Sequence, residues 1–169
     1  MNHRRPAAAK KPKAAKPKAR YTKPAELVEF ETAYNVAQAL KFPKIPPECL
    51  ARTHFSDKDA NSLTRAIIAH LEYNGYFAAR VNTTGVYDSR RGQYRTTNAR
   101  KGMADISAII AGKAVQIEIK AGTDRPREDQ KRVQAEYRAA GGIYEFVHTF
   151  PEYIALYNSL TAGEPQQHT

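Results

Sequence analysis

The sequence predicts an α/β protein, a mixed sheet flanked by helices, preceded by a basic arm that should have no fixed structure. Two observations lead there. Charge is segregated: nine of the 27 Lys and Arg residues precede the first acidic residue, Glu26, and the rest of the chain carries 18 basic against 17 acidic residues. Beyond that arm, hydrophobic periodicity runs helix, helix, three strands, helix, strand, helix, the order of a sheet covered by helices. The 169-residue chain is long enough to bury one self-sufficient core.

The segment up to Pro24 is built from Ala, Pro and Lys with no large aliphatic residue beyond Met1, so burial cannot offset the entropy of ordering it. Residues 1–24 should therefore form a flexible arm whose Lys10, Lys11, Lys13, Lys16, Lys18 and Arg20 contact phosphates, with a solubility tail as the plainer alternative. Over residues 25–40, Leu27, Phe30, Tyr34, Ala37 and Leu40 recur every three to four positions, an accessory helix ended by Pro43 and the Pro46-Pro47 pair. Residues 25–56 then make up that helix and a Pro-rich linker, and 57–161 the main domain. A second helix is expected over 60–74, with Leu63, Ile67, His70 and Leu71 on one stripe, Ser56 or Asp57 as N-cap and Gly75 as the stop.

Residues 76–81 read as a strand. The polar stretch 82–102 that follows is long for a loop and should contain a small hairpin. Its Arg90, Arg91, Arg95, Arg100 and Lys101, interleaved with Tyr87 and Tyr94, have the composition of a nucleic-acid surface, or of a merely solvated basic loop. Residues 103–110 and 114–120 are strands joined through Ala111-Gly112-Lys113. A helix over 126–140 starts at Pro126 and stops at Gly141-Gly142. A strand over 143–147, a helix over 151–160 and a polar tail, 162–169, complete the chain.

Several classes are excluded by composition. Cys49 is the single cysteine, so no intrachain disulfide forms, and no Cys/His group has zinc spacing; the expectation is a reducing, cytoplasmic setting, that of a bacterium or a phage-infected cell. No apolar run approaches the roughly 20 residues of a membrane span, and none near the start resembles a signal segment. Phosphate-loop, dinucleotide-binding and serine-hydrolase motifs are absent. The five histidines lack metal-ligand spacing and read as core or surface residues.

Chemistry concentrates in Ala114-Val-Gln-Ile-Glu-Ile-Lys120. Strand geometry sends Val115, Ile117 and Ile119 to one face and Gln116, Glu118 and Lys120 to the other. A two-residue loop at Gly112-Lys113 would set Asp105 opposite Lys120 and diagonal to Glu118, all on one face. A one-residue slip would instead strand Asp105 among the hydrophobes. Two carboxylates this close repel by roughly 4 kcal/mol at 4 Å and an effective dielectric of about 20, and a divalent cation resolves that repulsion. Carboxylate and carbonyl oxygens are ligands that magnesium or manganese prefers, and an adjacent lysine supplies a point charge for phosphate chemistry. A partly exposed ion cluster is the plainer account of the same spacing.

The run Gly102-Met-Ala-Asp105 on one strand, Glu118-Ile-Lys120 on the next, Gln130 in the following helix and a Gly141-Gly142 strand unit resembles the PD-(D/E)XK nuclease superfamily, within it the VRR-NUC branch with its small phage versions. The resemblance spans residues 60–146. It implies a restriction-endonuclease-like αβββαβ core, dependence on Mg2+ or Mn2+, and DNA cleavage. By position, Asp105 and Glu118 would be metal ligands together with the Ile119 carbonyl, Lys120 the catalytic lysine, and Gln130 a positioning group for the lysine, water or nucleic-acid backbone. The chain departs from the pattern in the first core helix, where many relatives place a glutamate and this chain offers Asn61, a ligand without charge, with Asp59 nearby and Glu72 further along.

The expected activity is thus a metal-dependent DNA endonuclease or nickase, compatible with selectivity for a junction or flap, the arm and the Arg-rich loop holding DNA. Resolution of branched DNA would favour a homodimer. The alternative is a DNA-packaging or virion-associated protein that binds through the arm on a nuclease-like core without cutting. A third reading is a component of a phage particle or replication complex whose arm docks an acidic partner.

Overall fold

The computed structural model describes residues 21–81, 86–95 and 100–163, and the side chains of 86–88 and 93–95 lie outside the description. The arm through Arg20 falls outside it as well. Along the chain come α1 (Ala25–Leu40), a short 3-10 turn (Pro47–Cys49), α2 (Ala60–Tyr73), β1 (Phe77–Arg80), β2 (Val86–Asp88), β3 (Gln93–Arg95), β4 (Ile106–Ile110), β5 (Lys113–Ile119), α3 (Glu128–Ala139), β6 (Ile143–Val147) and α4 (Phe150–Thr161). The main sheet is ordered β1-β4-β5-β6. Its β1/β4 and β4/β5 pairs are antiparallel and β5/β6 is parallel, so the class is a mixed α+β sheet flanked by helices. The 82–102 stretch contains a hairpin, β2 with β3. No helix among the described residues is long and apolar enough to cross a membrane.

The alternation in β4 and β5 builds the two layers. Ile106, Ala108 and Ile110 join Val115, Ile117 and Ile119 in the main core, beneath Leu63, Ala66, Ile67 and Leu71 of α2 and Phe150, Tyr153 and Leu160 of α4. Leu27 and Phe30 of α1, with Phe55 from the linker, belong to this same core. Glu31 secures the linker by accepting from the Phe55 N–H at 2.7 Å and from Lys23 Nζ at 2.6 Å. On the opposite face α3 covers a smaller cluster of Ala104, Val133 and Tyr144.

Two local expectations are corrected. The N-cap of α2 is Asp59, not Ser56 or Asp57: its Oδ1 accepts from the Ser62 N–H at 3.0 Å, satisfying a first-turn donor that a cap farther upstream could not reach. The β4–β5 loop is Ala111-Gly112, not Gly112-Lys113. Both of its residues have positive φ, 51° and 71°, as a type I′ turn demands. Lys113 is drawn into β5, and its ammonium donates to the Leu160 carbonyl at 2.8 Å near the end of α4. Pairing therefore runs from Ile110↔Lys113 to Ile106↔Ile117. One step further, Asp105 stands opposite Glu118 rather than Lys120. Because the offset is two residues, the polar and apolar faces keep their assignment.

Candidate functional site

The open end of β4 and β5 gathers the polar side chains. Asp105 immediately precedes β4, held by the Val81 N–H, which donates to its carbonyl at 2.8 Å. Its Oδ2 accepts from the Ile119 N–H at 3.0 Å, so the carboxylate reaches across to the end of β5. Glu118 is 5% exposed and Lys120 only 1%. Lys120 Nζ lies 3.0 Å from Glu118 Oε1 and 3.2 Å from Asp124 Oδ2. Its backbone N–H extends the parallel pairing by donating to the Val147 carbonyl at 2.8 Å.

Gln130, in the first turn of α3, locks the second layer of contacts. Its Oε1 accepts from the Arg127 N–H at 2.9 Å, and its Nε2 donates to Glu118 Oε1. Those two bonds fix the amide orientation, since the backbone can only donate. Gly102 lets α3 come this close. It has φ +89°, and a Cβ there would lie 2.5 Å from the Asp129 carbonyl oxygen. Tyr144 closes the floor, donating its hydroxyl to the Gly102 carbonyl at 3.1 Å.

Electrostatic strain is concentrated on one carboxylate. Burial, and next the Asp105 charge, push the Glu118 carboxyl above its ordinary value; Lys120 opposes both. Burial and the charges of Glu118 and Asp105 also drive the Tyr144 phenol well above its usual range. The Lys120 hydrogen bond is the largest influence on Asp124, whose carboxyl is held below the usual range.

Asp105, Glu118, Lys120 and Gln130 thus come together at the end of the sheet, with Ile119 between two of them. Among the described residues no hydrogen bond joins Asn61 to this cluster; its Oδ1 accepts from Arg80 Nη2 at 2.7 Å. It lines a surface cleft of about 620 Å³ with Arg65, Glu72 and Arg80. Arg90 and Arg91 are exposed at the tip of the β2–β3 hairpin. Arg100 pairs with Glu136, and Lys101 Nζ lies 2.8 Å from Asp129 Oδ2, so both basic residues are bridged to α3. The side chain of Arg95 and all of Lys10, Lys11, Lys13, Lys16, Lys18 and Arg20 lie outside the described residues.

Sequence reasoning missed three members of this neighbourhood. Asp124 stands in an irregular segment with no periodic signal. Tyr144 reads as an ordinary strand residue. Gln116 is 4% exposed on the polar face, donates from Nε2 to Ser107 Oγ at 2.9 Å, and leaves its Oε1 without a hydrogen-bond partner. Alternation had marked its face but not its burial.

Among the described residues no three Asp, Glu, His or Cys side chains form a metal cage. The ionisable side chains gathered at this strand end are carboxylates and a lysine, without thiolate or imidazole. No protein-family model, curated protein or solved structure matches this chain.

Proposed function

We propose that this protein is a metal-dependent DNA endonuclease or nickase on a PD-(D/E)XK-like core. The observation that carries the reading is the convergence of Asp105, Glu118, Lys120 and Gln130, drawn from two strand ends and a helix, with the lysine 3.0 Å from the glutamate. Asp105, Glu118 and the Ile119 carbonyl would hold Mg2+ or Mn2+. The fit is supported by the Glu118 carboxyl, raised first by burial and next by the Asp105 charge, the second of which a cation between the carboxylates would offset. When bound, such an ion neutralises phosphate charge and acidifies water.

The chain's own side chains have distinct tasks. Lys120, desolvated and held by Glu118, is a fixed positive charge for a phosphate oxygen. Gln130 holds the Glu118 carboxylate in one orientation through its bond to the Arg127 N–H. Asp105 is oriented by the Ile119 N–H. Arg90 and Arg91, exposed on the hairpin, and the arm with nine of the ten net positive charges would hold the DNA backbone.

The test is incubation of wild-type, Asp105→Asn and Glu118→Gln proteins with supercoiled plasmid in magnesium, manganese or EDTA. Metal-dependent nicking should fall about 100-fold or more in either variant, the usual scale for losing a preorganised charge, while binding stays near wild type. Unchanged cleavage by both folded variants would refute the site. Tight binding with no cleavage in any metal would favour a binding-only protein, a reading to which the engagement of Asn61 by Arg80 also points.

A further inference from the structure

Lys120 is buried almost completely, yet its two ionic partners differ sharply. Glu118 is 6% exposed in its side chain, whereas Asp124 is 48% exposed. Glu118 cannot leave: it also receives the Gln130 amide and sits on β5 between core residues. Asp124 lies between β5 and α3, and its other side-chain bond is local, from the Arg125 N–H to Oδ1 at 2.9 Å. Gly122, two residues earlier, has φ +68° and turns the chain there.

We propose that Asp124 is a displaceable counter-ion that stands in for substrate phosphate, swinging away from Lys120 when a phosphodiester oxygen takes its place. The inference rests on the reading that a nucleic-acid phosphate enters this site. Its physics is an exchange of anions on one buried cation. A lysine removed from water requires a compensating anion, so the free protein supplies one from its own chain. Asp124, half exposed, regains water when it swings out, and the phosphate oxygen takes over the compensation of the buried ammonium. Of the two partners Asp124 is the solvent-exposed one, so a phosphate oxygen arriving from solvent meets Lys120 on that side. Asp124 is therefore a positioning residue: it compensates and aims Lys120 while the site is empty, and it competes with weakly held anions.

The experiment measures binding of a short fluorescein-labelled DNA duplex to the full chain in EDTA over a range of salt. Wild type is compared with Asp124→Asn and with Glu128→Gln. The latter removes the same charge four residues away, from a carboxylate that pairs with Lys131 at 2.8 Å rather than with Lys120. In Asp124→Asn, phosphate reaches Lys120 without displacing a carboxylate. Affinity should rise about fivefold at 0.1 M salt because no carboxylate has to be displaced, while the slope of log K against log[salt] stays that of wild type, since the same phosphate is contacted in both proteins. Glu128→Gln should show a smaller gain.

Equal gains in the two variants would reduce the effect to overall charge and overturn the inference, as would unchanged or weaker binding by Asp124→Asn. Both measurements are made without metal and without cleavage. A protein that never cuts DNA can still pass them, and one that cuts can still fail, so this inference and the nuclease reading stand or fall separately.

Discussion

His70 gives the fold a calculable response to acid. Its Nδ1 lies 2.8 Å from the Tyr153 hydroxyl, and its ring meets those of Phe30, Tyr153 and Tyr157 edge-on, with centroids 5.0, 5.4 and 4.8 Å away. Burial holds its pKa at about 4, against an ordinary 6.5. The unfolded chain therefore takes up the proton first, and stability is complete above pH 6.5 and lost as pH falls toward 4. The full separation of about 2.5 units corresponds to about 3.4 kcal/mol, of which about 2 kcal/mol is gone at pH 5. For a chain of this size that is a fall in Tm of about 4–8 °C between pH 7 and 5.

Replacing His70 with Gln keeps a polar group for the Tyr153 hydroxyl and removes the titration. The assay is thermal unfolding of wild type and His70→Gln at both pH values, read as the difference between their declines. Glu31, Asp59 and Asp129 have lowered carboxyls and titrate below this window, while Glu118, raised, acts with the opposite sign. All are common to both proteins and cancel. The variant should be less stable at pH 7 and lose about 4–8 °C less on acidification. Declines that agree to within about 1 °C would show that His70 does not stay neutral in the fold, and the argument would fail.

Two further substitutions probe the packing behind the site. Gly102→Ala combines a positive φ with a Cβ 2.5 Å from the Asp129 carbonyl oxygen, so it should cost about 2 kcal/mol or more in denaturant unfolding and shift the α3 end that carries Gln130; a change below about 0.5 kcal/mol would contradict that. Gln116→Met removes the unpartnered Oε1, and Ser107, only partly buried, can turn to water, so stability should hold within about 1 kcal/mol or rise. A loss above about 2 kcal/mol would mean that the Ser107 bond outweighs the orphaned acceptor.

The sequence by itself determined which residues face inward and where elements start and stop. Period-two alternation in residues 114–120 separated Val115, Ile117 and Ile119 from Glu118 and Lys120, and that separation survives any register shift by an even number of residues. Periodicity, with the Pro stop after α1 and the Gly141-Gly142 stop before β6, likewise placed α1 at 25–40 and β6 at 143–147, as observed, and put the remaining main-sheet strands and helices within a few residues of their positions. These are local properties, governed by side-chain spacing and backbone preference within a few residues.

Tertiary structure decided the rest. The loop stands at Ala111-Gly112, where Lys113 joins β5 and its ammonium meets the Leu160 carbonyl, 47 residues away. Gly102 is required by the approach of α3, and Asp124 reaches Lys120 because the chain between β5 and α3 folds back over the strand end. Each depends on two segments meeting across the fold, where burial and close contact are properties of the pair and leave no periodic trace in either segment alone.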